Sequence, residues 1–356
     1  MNNKWLTALF VFACLLHVSP LDGQQEKQAR DKYTLLTMPY NQRPLTLYKG
    51  QIQINASYRF ATRTKSYNSD GTKINLKEDG SASIMHSYIM EIKYGITDFI
   101  EIGADSYYMR NGIRSESNVT LSGSDAIYSN TLNEYRGFGD LTLAAALRLP
   151  FEYKTFDVSM RGGITIPLAE WKPSIPTHTI TDYSSPNSYT VNYKFNHNNG
   201  NGVPLYFVSA AAKFTLSKVS LEARGSYRVA LREGESFRWG WTATGSTFSY
   251  FNNTYSYLPD KSIFINGSIH YQAAGWLDIF LSNYFLKSSS GWTEFYENKY
   301  ANPEKSLMTI EPGFELQISP SMTIYQYAGF AVSGKSTDAP FYLLTTLSFN
   351  MFPFLK

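Results

Sequence analysis

The chain has almost no cysteine, little charge, and no internal apolar run long enough to cross a membrane as a helix. Cys14 is the only cysteine among 356 residues, so an intramolecular disulfide is impossible and a multi-thiolate metal site is excluded. Charged residues make up only 17% of the chain, against roughly 25% in ordinary soluble domains. Past the first twenty residues no segment supplies the roughly 20 apolar residues that a spanning helix requires, which rules out a helical bundle in lipid. A net charge of +3 is too weak a field to imply a nucleic-acid partner, and none is expected. His178 and His197 have no cysteine or carboxylate at ligand spacing, so no metal site is expected. Gly137-Phe138-Gly139 lacks the third glycine and the following helix of a dinucleotide loop, so no cofactor is expected.

Aromatic residues are abundant instead. The sequence holds 27 Tyr, 23 Phe and 6 Trp, an aromatic share of 16%. Its start has the layout of an export signal: a basic Met1 to Lys4, an apolar Trp5 to Val18, and a polar break at Ser19 to Gly23. Residues 1–23 are therefore expected to be a cleaved signal peptide. A lipoprotein reading of Cys14 is disfavoured because Leu15, Leu16 and Val18 continue the apolar run. Residues 24–48 are polar, carry Pro39 and Pro44, and are expected to form a periplasmic arm or a piece folded into the mouth of the domain that follows.

From residue 49 the dominant signal has a period of two, the signature of strands whose side chains alternate between two faces. Ile52, Ile54, Ala56, Tyr58 and Phe60 share one face, and Gln51, Gln53, Asn55, Ser57 and Arg59 share the other. Val219 to Leu231 sets Val219, Leu221, Ala223, Tyr227 and Val229 against Ser220, Glu222, Arg224, Ser226 and Arg228. Three charged side chains along one strand face do not belong in a dry core. Twelve such strands are expected, beginning near residues 51, 84, 99, 138, 156, 203, 219, 262, 277, 306, 322 and 341. Short connections alternate with long polar ones, and the strand count is even. This pattern predicts an all-β protein: a single antiparallel transmembrane β-barrel over residues 49–356, with short periplasmic turns and long extracellular loops, in the outer membrane of a Gram-negative cell. A secreted β-sandwich explains the alternation but not the alternation of loop lengths. The expected partners are outer-membrane lipid and lipopolysaccharide, the barrel-assembly machinery, and a small-molecule solute.

Parity directs Glu91, Lys93, Glu101, Asp105, Asp140, Arg148, Asp157, Arg161, Glu222, Arg224, Arg228, Glu311 and Glu315 into the lumen. Asp140 is expected to share its face with Phe138 and Thr142. A lumen lined by both signs of charge either holds water and passes solute or pairs its charges across strands. Arg224 and Arg228 either sort ions along an open pore or pair with Glu222 and with acids on neighbouring strands such as Asp157, holding the wall together. The same parity predicts that Leu221→Arg harms insertion while Ser220→Arg is tolerated. Asn266, Ser268 and His270 also share a face, the pattern nearest to an outer-membrane phospholipase. That face is the wet one, so no catalytic site is assigned.

Two segments, Tyr94 to Tyr108 (YGITDFIEIGADSYY) and Arg136 to Pro150 (RGFGDLTLAAALRLP), resemble strand-turn-strand segments of the outer-membrane, transporter-like family named for the MetA pathway of phenol degradation. The resemblance implies a channel-like barrel and, by association with the pathway name, aromatic or other small hydrophobic solutes. The other readings are a structural or adhesive barrel with binding loops and, less favoured, a phospholipase-type enzyme.

Overall fold

The computed structural model describes residues 36, 38, 43–76, 82–122, 125–149, 155–169, 175–180, 189–194, 202–244, 247–295 and 298–352, and within these the side chains of 111–135, 175–194, 236–255, 293, 295 and 298 are outside the description. The expected signal peptide lies outside the described residues, and so does most of the arm.

Twelve strands close on themselves: β1 (Ile52–Tyr67), β2 (Ser83–Gly95), β3 (Ile100–Ser122), β4 (Leu141–Arg148), β5 (Phe156–Ile166), β6 (Leu205–Leu216), β7 (Val219–Ala230), β8 (Lys261–Ala274), β9 (Leu277–Ser289), β10 (Lys305–Ser319), β11 (Met322–Lys335) and β12 (Thr337–Met351). Each pairs antiparallel with its neighbours, and β1 closes the ring by pairing with both β2 and β12. The seam register runs from Ile52 opposite Met351 to Arg63 opposite Pro340. Closure gives every spanning strand two partners, which a sheet in hydrocarbon requires because no water is present to satisfy an open edge.

The two faces carry opposite chemistry, with the usual order of a globular protein inverted. Leu221, Ile265, Ile269, Leu281 and Leu347 all point outward, and Leu221 is 48% exposed. Ser159, Thr165, Lys213, Ser220, His270, Asp278 and Glu315 are buried on the inner face. An apolar exterior around a polar interior is stable only when the solvent outside is lipid. The chain is an outer-membrane barrel.

Short turns such as Ser217-Lys218 and Gly275-Trp276 lie at one rim. The other rim carries long segments that the sequence alone leaves as loops. Some of these extend the barrel sheet, and others form a four-stranded sheet of their own. Asp125–Phe138 pairs with the upper half of β3, and Gly234–Thr244 pairs with Thr247–Leu258. Tyr, Phe, Trp and Thr favour extended chain wherever a partner strand is at hand, and they do so here beyond the apolar band, apart from the lower end of Asp125–Phe138.

β4 starts at Leu141, not near 138. Tyr108 lies opposite Phe138, and Asp105 lies opposite Thr142. Three steps on β3 thus match four on the other side, so Gly139-Asp140 contains one extra residue, a bulge. Phe138 is consequently 63% exposed on the outer wall, while Asp140 is 2% exposed. The expected shared face of Phe138, Asp140 and Thr142 fails at this bulge. Gly139 is required there because a Cβ would collide with the Tyr107 ring.

Candidate functional site

The N-terminal segment just before β1 enters the barrel mouth, where inward-facing side chains from several strands hold it. Leu45 N donates to Asp157 Oδ2 at 2.7 Å, and Leu47 N donates to Glu101 Oε2 at 3.0 Å. Arg43 Nη1 pairs with Glu315 Oε1 at 2.5 Å, and Lys213 Nζ donates to the Arg43 carbonyl at 3.0 Å. Gln317 Nε2 reaches the Leu36 carbonyl at 3.0 Å. The contacts come from β3, β5, β6 and β10, so the segment crosses the opening and does not hug one wall. Polar Gln24 to Tyr48 cannot form a core of its own; carboxylates on the wall instead accept its backbone N–H groups, a charge-assisted arrangement stronger than neutral hydrogen bonds. Burial raises the Tyr48 phenol above its ordinary value; Arg148 opposes the shift, and Asp98 and Asp157 add to it.

Above and beside the arm lies a cavity of about 640 Å³. Of the residues assigned to the lumen from sequence, Glu91, Lys93, Glu101, Asp105, Arg161, Glu222, Arg224 and Glu315 line it. Asp157 and Arg148 face inward but are joined at 2.8 Å beneath the arm. Asp140 is buried at the bulge, and Arg228 is exposed; neither borders the cavity. Glu311 is also off the cavity, accepting hydrogen bonds from Tyr342 Oη and from Thr309 Oγ1, the latter at 3.1 Å.

Much of the wall charge is paired. Glu91 accepts from Asn55 Nδ2 at 2.6 Å, lies 3.0 Å from Lys93 Nζ and 3.8 Å from Arg161 Nη2. Arg224 Nη2 meets Glu222 Oε1 at 3.2 Å. Ser220 is 0% exposed, which overturns the expectation that an arginine would be tolerated there: the inner face at this level is packed, not open.

One arc of the wall is aromatic. Phe280 stacks on His270 with ring centroids 5.1 Å apart and lies 5.4 Å from Tyr325 and 6.3 Å from Tyr327. Tyr327 meets Tyr342 edge-on at 6.2 Å, and the Arg59 guanidinium sits 4.3 Å over the Tyr342 ring. Tyr325 and Tyr327 line the cavity. Ser268 and His270 are in hydrogen-bond contact at 3.1 Å on this inner face, while Asn266 is turned to the Asn283 carbonyl at 3.1 Å. The three are not an assembled nucleophile, base and orienting group facing lipid. Among the described residues no group of three or more His, Cys, Asp or Glu side chains is arranged to hold a metal ion.

Sequence reasoning missed three kinds of contributor. Lys213 shares its face with Ser209 and Thr215, a parity signal that was available. Phe280, Tyr325 and Tyr327 are aromatic residues on the wet face, which hydrophobicity alone assigns to lipid. The backbone amides of Leu45 and Leu47 carry no side-chain signal at all.

No family model matches the chain, and no curated protein matches it. Its fold is similar to that of an outer membrane channel from Pseudomonas putida F1, with a TM-score of 0.61, 13% identity, and coverage of 86% of this chain and 97% of that one. The P. putida toluene transporter TodX is a more distant likeness, with a TM-score of 0.46, 9% identity, and coverage of 90% and 92%. The fold and the inverted polarity define the class: a twelve-stranded outer-membrane barrel with an arm in its mouth.

Proposed function

We propose that this barrel is a passive channel for small solutes, favouring those with an aromatic or apolar surface. The observation that carries the reading is the cavity of about 640 Å³ inside the ring, bordered by paired charges on one arc and by Tyr325 and Tyr327 on another. A cavity of this size suits a small molecule, and an aromatic wall offers ring contacts of about 0.5–1.5 kcal/mol each beyond simple burial. The resemblance of Tyr94 to Tyr108 and Arg136 to Pro150 to the MetA-pathway family supports the same solute class. The channel reading takes residues 1–23 as an export signal, 24–48 as the arm and 49–356 as the barrel, with assembly by the barrel machinery and lipopolysaccharide as the outer-leaflet neighbour. It assigns no catalytic role to Ser268.

Swelling of liposomes carrying the protein, with a panel running from sugars to small phenolics, tests the proposal. Permeation of the phenolics ahead of sugars of similar size is the expected result. Liposomes as tight as protein-free ones would favour a structural or adhesive barrel. Fatty-acid release that disappears in Ser268→Ala would favour the phospholipase.

A further inference from the structure

On the outer wall, the side chains facing lipid on β1, β2, β3 and the paired strand Asp125–Phe138 form two rows in register. The lower row is aromatic: Tyr58 lies opposite Tyr88, Tyr88 opposite Tyr108, and Tyr108 opposite Phe138. Successive ring centroids are 5.3, 6.4 and 5.2 Å apart. The upper row, two residues nearer the long-loop rim, is basic: His86 lies opposite Arg110, and Arg110 opposite Arg136. Both arginines are exposed. Nine residue steps separate His86 from Gly95 at the periplasmic end of β2. At about 3.3 Å per residue and a tilt of about 40°, that is roughly 23 Å, close to the roughly 25 Å height of the apolar band. The aromatic row therefore sits at the outer interface, and the basic row sits at headgroup level directly above it.

We propose that Arg110 and Arg136, with His86 beside them, form a binding site for the phosphate of an outer-leaflet glycolipid, whose acyl chains then run down over the Tyr88, Tyr108 and Phe138 rings. The inference rests on the outer-membrane reading and names the contact surface for its lipid partner. Two guanidinium groups placed directly opposite each other on paired strands can both reach one phosphate, whose oxygens match their forked geometry. Arg110 makes an interaction of its own, and five N–H donors allow a guanidinium to serve more than one acceptor. His86 accepts or donates through Nδ1 to Tyr58 Oη at 2.8 Å, so the ring is held in place while Nε2 takes no part in that bond. Elsewhere on the same rim Lys287 and Lys305 face acids, Glu304 at 2.9 Å and Asp260 at 3.6 Å. The basic row is distinguished by lying over a continuous aromatic platform.

Native mass spectrometry of the purified full chain, titrated with bis-phosphorylated lipid A, tests the site. Retention of the lipid is expected, with dephosphorylated lipid A held roughly tenfold more weakly, the scale of losing charge-assisted contacts of about 1.4 kcal/mol or more. The double variant Arg110→Gln, Arg136→Gln should bind the phosphorylated lipid as weakly as the wild type binds the dephosphorylated one, while Lys287→Gln should bind normally. Equal retention of both lipids by the wild type overturns the proposal even if the double variant does not fold. So does saturation of the site by millimolar inorganic phosphate alone, which would make it a free-anion site. A wild-type chain that shows no heat-modifiable mobility in lipid would overturn the barrel reading itself; a folded barrel indifferent to the phosphate overturns only the site.

Discussion

The amide of Leu45 donates to the carboxylate of Asp157 at 2.7 Å, and the other oxygen of that carboxylate accepts from Arg148 Nε at 2.8 Å. One acid thus ties the N-terminal arm to the wall and is itself held in place by β4. Removing its charge should loosen the arm more than the barrel. Asp157→Asn is expected to expose the peptide bonds near Leu45 to added protease while leaving heat-modifiable mobility intact. Protection equal to the wild type would deny Asp157 this role.

Lipid-facing and lumen-facing residues on one strand should respond differently to the same substitution. Ile269 points to lipid near mid-height of β8, so Ile269→Arg should cost about 2–4 kcal/mol in folding into lipid. Its neighbour Ser268 faces the lumen opposite Glu222, where a new arginine finds a carboxylate. Ser268→Arg should cost less than Ile269→Arg, since it meets polar wall and not lipid, although Glu222 already pairs with Arg224. Urea titration in liposomes measures both, and equal costs would reject the assigned faces.

The two arginines of β7 should separate. Arg224 pairs with Glu222 at 3.2 Å on a half-exposed surface, so Arg224→Gln removes an ion pair worth no more than about 1 kcal/mol. Arg228 has no ion pair among the described residues and stands toward the outer opening. Arg228→Gln should shift reversal potential toward cation preference with unchanged stability. An unchanged reversal potential would remove Arg228 from ion sorting.

Gly329 lies directly opposite Tyr342, and a Cβ at Gly329 would run into the Tyr342 ring. Gly329→Ala should push that ring off Glu311 and cost about 1–3 kcal/mol, the usual range for overpacking. Denaturant midpoints check this; a neutral effect would mean that the ring relocates freely.

The barrel was readable because each spanning strand must put oil on one side and water on the other, and Leu221 beside Glu222 states that rule locally. Strand positions followed, from Ile52 to Met351. Where the rule has no purchase, the reading stopped. The bulge at Gly139-Asp140 breaks parity by one residue, so Phe138 went to the wrong face. The hairpin of Gly234–Thr244 and Thr247–Leu258 stands above the membrane, where alternation is not enforced. Lumen charges such as Glu91 and Glu222 were legible by parity, yet their pairing depends on which strands are neighbours. The arm was hardest, because Leu45 and Leu47 engage through backbone amides that any residue but proline would supply.

Single-channel conductance in planar bilayers, comparing the wild type with a triple variant Glu101→Gln, Asp157→Asn, Glu315→Gln, tests the central claim most directly. These three acids hold the arm through Leu47, Leu45 and Arg43, with charge-assisted bonds worth about 1.5–3 kcal/mol each. A lumen that conducts past a tethered arm predicts small, discrete openings for the wild type and openings several-fold larger for the triple variant. Silence from both proteins, each folded by heat-modifiable mobility, would contradict a channel and leave a closed structural barrel.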